Sequence, residues 1–219
     1  MASFATVPLS PEETASLQEL SELHVQKLIK NTADPLRNCD GHVWTLNFSK
    51  EEIKLKVYSS VAADVKLLRF KGVCTLPYDT KTIVDFVGDN SHRMTWDRNV
   101  CDINTHDIYS SDDGSSMVKL LRVATKKVGP ISGRDFADII AIQKIDNGRF
   151  VNAGASISAK DMTFIDNFFP ESKAFVRGWN HSGGGWMFEP LETIDGSPTT
   201  QISYGTYTLL QYNLIILFE

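Results

Sequence analysis

The chain has 219 residues, 42% of them hydrophobic and 22% charged, with a formal net charge of −5. That composition excludes a disordered or collagen-like chain, and a pI near 5.6 argues against a nucleic-acid binder working through a broad basic face. Cys39, Cys74 and Cys101 are odd in number, widely spaced and without a Cys-x-x-Cys pair, which argues against a disulfide framework or Cys-rich zinc site and fits a reducing compartment.

Met1–Leu9 carries no basic start and no long apolar core, so no signal peptide is read there and it is taken as a tail. The longest apolar run, Leu214–Phe218, falls far short of the roughly 20 residues a bilayer span requires. A cytoplasmic protein is expected, and the sequons at Asn47 and Asn180 read as chance matches.

The first element is a helix. Ser10 is placed to cap it, Pro11 suits its first turn, and Glu13 completes a capping box; Leu17, Leu20, His24 and Leu28 then recur at helical spacing until Asp34-Pro35. Trp44, Leu46 and Phe48 alternate with smaller or polar residues and predict a strand with one apolar face. Ser49–Glu52 makes a turn, and Ile53, Leu55 and Val57 begin a second, half-buried strand. A third strand is predicted over Val65–Thr75.

Asp79 then caps a short helix through Val87, closed by Gly88 at the C′ position, and a second short helical turn holds Met94, Trp96 and Asp97. Strands return at Val100–Tyr109, Met117–Thr125, Phe136–Ile145 and Phe150–Ser158, the last two joined by Asn147-Gly148, a strong hairpin signal. Lys173–Trp179, Trp186–Leu191 and Thr200–Leu210 complete the set, with Gly183-Gly184-Gly185 as a turn. About nine strands with short turns imply an antiparallel sheet large enough to curl, and a curled sheet holding a helix can enclose a cavity. No repeat or low-complexity linker divides the chain, so residues 10–219 are read as one α+β domain.

Catalytic signatures are scarce. Gly-x-Ser-x-Gly, Gly-x-Gly-x-x-Gly, P-loop and His-Glu-x-x-His patterns are all missing. Gly183-Gly184-Gly185 lacks the Lys-Ser/Thr and helix that phosphate cradling needs. Cys101, Asp102 and His106 fit a metal site poorly, because residues 101 and 106 fall on opposite strand faces. Cys101 with His106 is equally weak as a nucleophile and base, and Asp112-Asp113 suits a turn better than an acid/base pair. No metal or cofactor is expected.

The segment Gly129–Leu191 is more distinctive. It contains Arg134-Asp135-Phe136, Phe175-Val176-Arg177-Gly178-Trp179-Asn180-His181 and Glu189-Pro190-Leu191, with Met94-Thr95-Trp96-Asp97-Arg98-Asn99-Val100 upstream. Together these resemble the START family of lipid-transfer domains over roughly Ser10 to Tyr204, and most nearly its small sterol- or bile-acid-carrying members. The resemblance implies a helix-grip fold: a curled antiparallel sheet of nine strands, an N-terminal helix, two short helices after the third strand, and a C-terminal helix held over a hydrophobic cavity. It further implies non-enzymatic lipid binding and exchange at membranes.

Three departures from the family pattern are visible. The Arg and acidic residue that pair in several cholesterol-binding members correspond here to Ile140 and Leu121, both apolar. The loop before Arg134, the family's membrane-contact loop by resemblance, mixes Lys126 and Lys127 with Val128 and Ile131, a composition suited to a headgroup region. After Tyr204 no segment reads as the long C-terminal helix, so that helix is expected to be missing and the domain truncated.

The expected ligand-facing residues are Trp96, Leu121, Val123, Ile140, Ile142, Ala155 and Trp186; those expected at the membrane are Lys126, Lys127, Val128 and Ile131. Arg134, Asp135 and Arg177 are read as structural, the first two as sheet-edge ion-pairing residues, since charges are rarely buried alone. The expected partner is a lipid, a sterol first with bile acid or phospholipid next, along with transient membrane contact, no nucleic acid and a monomeric state. Two other readings stand beside it: a truncated regulatory or non-binding form, and a helix-grip enzyme of cyclase or hydrolase type.

Overall fold

The structure, a computed structural model, describes residues 8–38, 41–62, 67–157, 162, 164–170, 173–194 and 196–207. Residues 208–219, on which the expectation of a missing C-terminal helix rests, lie outside this range, as do residues 1–7 of the expected tail and Cys39.

Ser10 caps α1 (Pro11–Ala33) as its neighbours dictate. Its hydroxyl accepts the Glu13 N–H at 3.2 Å while the Glu13 carboxylate accepts the Ser10 N–H at 2.7 Å. Leu17, Ser21, His24, Val25, Leu28 and Asn31 form its buried face.

β1 (Thr45–Lys50), β2 (Leu55–Ala62) and β3 (Leu67–Leu76) follow. Ile53, expected inside the second strand, belongs instead to a 3₁₀ turn, and the next residue, Lys54, takes a left-handed φ of 48° before β2 begins. Leu46 and Phe48, expected on a buried face, are 52% and 50% exposed. They stand on an edge strand with a neighbour on one side only.

The Asp79 carboxylate accepts the Thr82 N–H at 3.0 Å and starts α2 (Thr80–Gly88). Gly88 is the last helical residue rather than a left-handed C′ cap; the chain turns at Asp89, whose carboxylate in turn caps α3 (Asn90–Trp96). What Gly88 provides is space, because a Cβ there would sit 2.9 Å from Ile142 Cδ1.

β4 (Val100–Ser110), β5 (Ser116–Thr125), β6 (Arg134–Lys144) and β7 (Phe150–Ser156) form an antiparallel meander. Asn147 and Gly148 turn between β6 and β7 with φ of 50° and 75°, the left-handed pair that suits strand twist. A short α4 (Ile165–Phe168), unsignalled in the sequence, precedes β8 (Val176–Arg177). The full strand expected at Lys173–Trp179 shrinks to β8, which runs parallel to β6. The reason is geometric: β7 ends opposite Asp138, and β8 docks farther along that edge, at Arg134 and Asp135.

β9 (Gly184–Ile194) and β10 (Ser197–Tyr207) complete a sheet ordered β1-β2-β3-β10-β9-β7-β6-β5-β4, with β8 off the path. Ten strands are therefore present among the described residues, and the sheet stays open between edges β1 and β4. The α2–α3 pair carries the chain from β3 in the interior of the sheet to the far edge.

Both faces of the sheet are covered. Period-two alternation sends Ala137, Ile139 and Ala141 of β6 toward α1, with Leu120 and Val151 beside them. On the other face α2 seats Ile83 and Val84 against Leu55, Cys74, Phe188 and Ile202. α1 is pinned by polar contacts: Asn31 Nδ2 donates to the Gly183 carbonyl at 2.8 Å and Arg69 donates to Asn31 Oδ1 at 3.0 Å. At the same crossing Gly185 is obligatory, with φ 139° and room for a Cβ only 2.2 Å from the Asn152 carbonyl oxygen.

His24 sits in this seam, its Nδ1 2.7 Å from Ser182 Oγ. Burial, helped by Lys27, lowers its pKa from the ordinary 6.5 to about 4. As pH falls the unfolded chain therefore takes up this proton first, so stability held above pH 6.5 is lost progressively toward pH 4. At about 1.4 kcal/mol per unit the whole shift is worth roughly 3 kcal/mol. Urea unfolding at pH 7 and at about pH 4.5 is expected to show wild type losing roughly 2 kcal/mol more than His24→Gln. Equal losses would disprove the assignment.

Candidate functional site

A cavity of about 460 Å³ opens between α2–α3 and the second face of the sheet. Leu121 and Val123 on β5, Ile140 and Ile142 on β6, Trp96 at the end of α3, and Trp186 on β9 all line it. Leu121, Val123, Val100 and Ile140 pack into one apolar cluster, and Trp186 lies against Tyr204 with ring centroids 4.3 Å apart. Ile140 and Leu121, the apolar pair read from the sequence, thus meet on the cavity wall.

Ala155 does not belong there. It is 2% exposed and opposite Ile139, in phase with Val151 and Ala153 on the α1 face, while Asn152 and Gly154 present β7 to the cavity. The more apolar face of β7 is the one that meets the helix.

The wall also holds charge that the sequence reading passed over. Arg93, Lys119 and Asp138 line it beside the apolar residues. For Asp138 the signal was available, since two steps back from Ile140 along a strand leads to the same face. Asp138 is buried: Ser156 Oγ donates to it at 2.6 Å and Asn180 Nδ2 at 2.8 Å. Burial nonetheless raises its pKa above the ordinary carboxylate value, outweighing those two hydrogen bonds.

The three residues read as structural separate into two roles. Asp135, 1% exposed, lies on the α1 face and contacts Arg122 Nε at 3.2 Å and Arg177 Nε at 3.2 Å. Arg122 also reaches Asp102 at 2.8 Å, and Arg177 donates to the Phe169 carbonyl at 3.0 Å. Arg134, one residue away, alternates to the cavity face and has no ion pair among the described residues. Its expected role is corrected accordingly.

Of the loop residues, Lys126, Val128 and Ile131 lie at the cavity and Lys127 beside them is exposed. Val128 and Ile131 close a tight turn through mutual backbone hydrogen bonds of 3.1 and 3.0 Å, and Lys126 Nζ donates to the Arg98 carbonyl at 2.9 Å. Elsewhere the His106 ring packs at a tilt against Phe168, with centroids 4.9 Å apart, and Cys101 Sγ donates to the Ala124 carbonyl at 3.4 Å, so these two groups point to different neighbours. No helix among the described residues is long and apolar enough to cross a membrane.

Comparison with known proteins places this geometry. The START domain family model matches residues 36–204. Human StAR-related lipid transfer protein 6 is 24% identical over 155 residues, which cover 71% of this chain and 64% of that protein. The match therefore spans just under two thirds of this relative's length. Among solved structures, human StAR-related lipid transfer protein 5 superimposes with a TM-score of 0.67 at 19% identity, covering 94% of this chain and 89% of that one. The human StarD13 (DLC2) lipid transfer and protein localization domain gives 0.56 at 13% identity, covering 92% and 83%. The fold is the helix-grip arrangement of these structures, with an open sheet.

Proposed function

The chain belongs to the START domain family, and we propose that it encloses a hydrophobic lipid in the α2–α3 cavity and carries it between membranes without covalent chemistry. The observation that carries this reading is the cavity itself, about 460 Å³ of space walled by Leu121, Val123, Ile140, Ile142 and Trp186. Protein interiors are close-packed, and voids larger than a water molecule are few, so a space of this size has a use. The names of the relatives, both lipid transfer proteins, point the same way.

The driving force is apolar burial. Covering ~400 Å² of ligand hydrocarbon at ~25 cal/mol per Å² gives ~10 kcal/mol before the costs of ordering and opening. That suffices for micromolar binding, and a sterol-sized body is the reading we favour. An enzyme is the weaker alternative: among the described residues Ser182 and His24 form a hydrogen-bonded pair, but no described carboxylate meets the buried Nε2, and the pair joins α1 to the turn before β9.

Exchange requires a membrane, and we assign first contact to Lys126, Lys127, Val128 and Ile131 at the cavity rim. Each lysine near an anionic surface contributes about 1 kcal/mol. We take the working form to be a monomer in the cytoplasm.

Native mass spectrometry of the protein from a lipid-containing lysate tests the carrier reading, with an adduct of lipid mass expected. Transfer between vesicles tests the rim. Lys126→Ala with Lys127→Ala is expected to slow uptake from anionic vesicles about tenfold and from neutral vesicles far less. Equal slowing on both would remove the electrostatic role.

A further inference from the structure

Among the described residues, three buried N–H donors on the cavity wall have neither a hydrogen-bond acceptor nor an ion-pair contact of their own: Nε1 of Trp96, Nε of Arg93 and Nε of Arg134; a fourth, Arg177 Nε, lies 3.2 Å from Asp135. Leaving such a donor buried and unpaired is costly, more so on a charged group, and folded proteins keep few of them. A purely hydrocarbon ligand would leave all three unmet.

Arg134 is the clearest case. Its backbone is engaged with Thr125, and its neighbour Asp135 is occupied by Arg122 and Arg177, yet its own guanidinium has no hydrogen-bond or ion-pair partner among the described residues. Arg93 lies 3.6 Å from Asp97 and near enough to Asp138 to lower that carboxyl's pKa through its charge, and its guanidinium lies 5.8 Å from the centre of the Trp96 ring.

Charge on the wall is one-sided. Arg93, Lys119, Lys126, Arg134 and Arg177 line the cavity, against the carboxylates of Asp97 and Asp138, with Arg177 also paired to Asp135 behind the wall. Asp138 is already closed off by Ser156 and Asn180, and its burial favours the uncharged form. A cationic cavity inside a chain of net charge −5 selects for a negative ligand.

We propose that the lipid held in this cavity is an anionic amphiphile, its apolar body against Leu121, Val123 and Ile140 and its acidic head, a carboxylate or a phosphate, on the Arg134 guanidinium with Arg93 and Trp96 as further donors. This rests on the lipid-carrier reading and specifies its ligand. A guanidinium offers a planar fork of donors that matches either head in a way a hydroxyl cannot.

The experiment uses two matched probe pairs on the full chain. One is a fluorescent sterol carrying a succinate ester at its 3-hydroxyl, compared with the methyl-capped form of that ester, which has the same shape but no charge. The other is hexadecyl phosphate compared with hexadecanol. Binding at least tenfold tighter for the charged member of either pair is expected, and the pair that shows it separates carboxylate from phosphate. Arg134→Gln should cut that ratio roughly tenfold, Arg134→Lys should retain part of it, and Trp96→Phe should lower it less.

Equal affinities within both pairs in wild type would overturn the inference while leaving the carrier reading standing, and that comparison needs no variant to fold. A ratio unmoved in a cooperatively folding Arg134→Gln would overturn the placement of the head. If no probe binds and no lipid co-purifies, the carrier reading falls as well.

Discussion

Ile140→Trp is expected to abolish lipid uptake with the fold intact. Ile140 is half-buried only because the cavity lies in front of it, so an indole there extends into empty space rather than into packed atoms. Overpacking a filled core costs about 1–3 kcal/mol, but filling a cavity removes ligand volume without that strain. Uptake of a fluorescent sterol ester should fall more than tenfold, with the thermal midpoint within about 5 °C of wild type. The opposite face supplies the control. Leu120 is completely buried against α1, so Leu120→Ala should cost about 2–5 kcal/mol by urea unfolding with ligand affinity kept in the folded fraction. Wild-type uptake in Ile140→Trp would show that the ligand lies elsewhere.

The second large effect is on stability. Asp135→Ala should destabilise the chain by about 3–5 kcal/mol, a large part of the ~5–15 kcal/mol that holds a domain together. Asp135 is 1% exposed and is the only carboxylate within 4 Å of the Arg177 guanidinium among the described residues; Arg122 would retain Asp102, a half-exposed partner. Removing the carboxylate leaves Arg177 partly buried and with no carboxylate within 4 Å among the described residues. Asp135→Asn keeps an acceptor and should cost roughly half as much. Urea midpoints of the two variants check this order; a loss below about 1 kcal/mol for Asp135→Ala would mean that water already solvates the arginines.

Much of the fold was legible because its signals are local. The Ser10–Glu13 capping box, the Asp79 cap and the Asn147-Gly148 turn each depend on a few adjacent residues, and each formed where the sequence placed it. Alternation located most strands for the same reason, since side-chain direction follows from backbone geometry alone. Motif resemblance supplied the family, and with it the helix-grip architecture that alternation can only suggest.

What the sequence left open depends on neighbours distant along the chain. Leu46 and Phe48 look like core but stand on an edge strand, a fact set by sheet order. The two residues of β8 pair only where β7 has already ended. Arg134 and Asp135 are adjacent and look like one ion-pairing unit; the pleat sends them to opposite faces, one into a cluster of arginines and the other to an empty wall. Ala155 shows the limit most directly. Because α1 covers one face of the sheet and the cavity occupies the other, both faces of β7 are enclosed, and greater apolarity marks the helix side rather than the ligand side. Periodicity established that alternate residues share a face. Which face met the ligand was decided by tertiary packing, because burial, pairing and cavity space are properties of contacts across the sheet and not of any single strand.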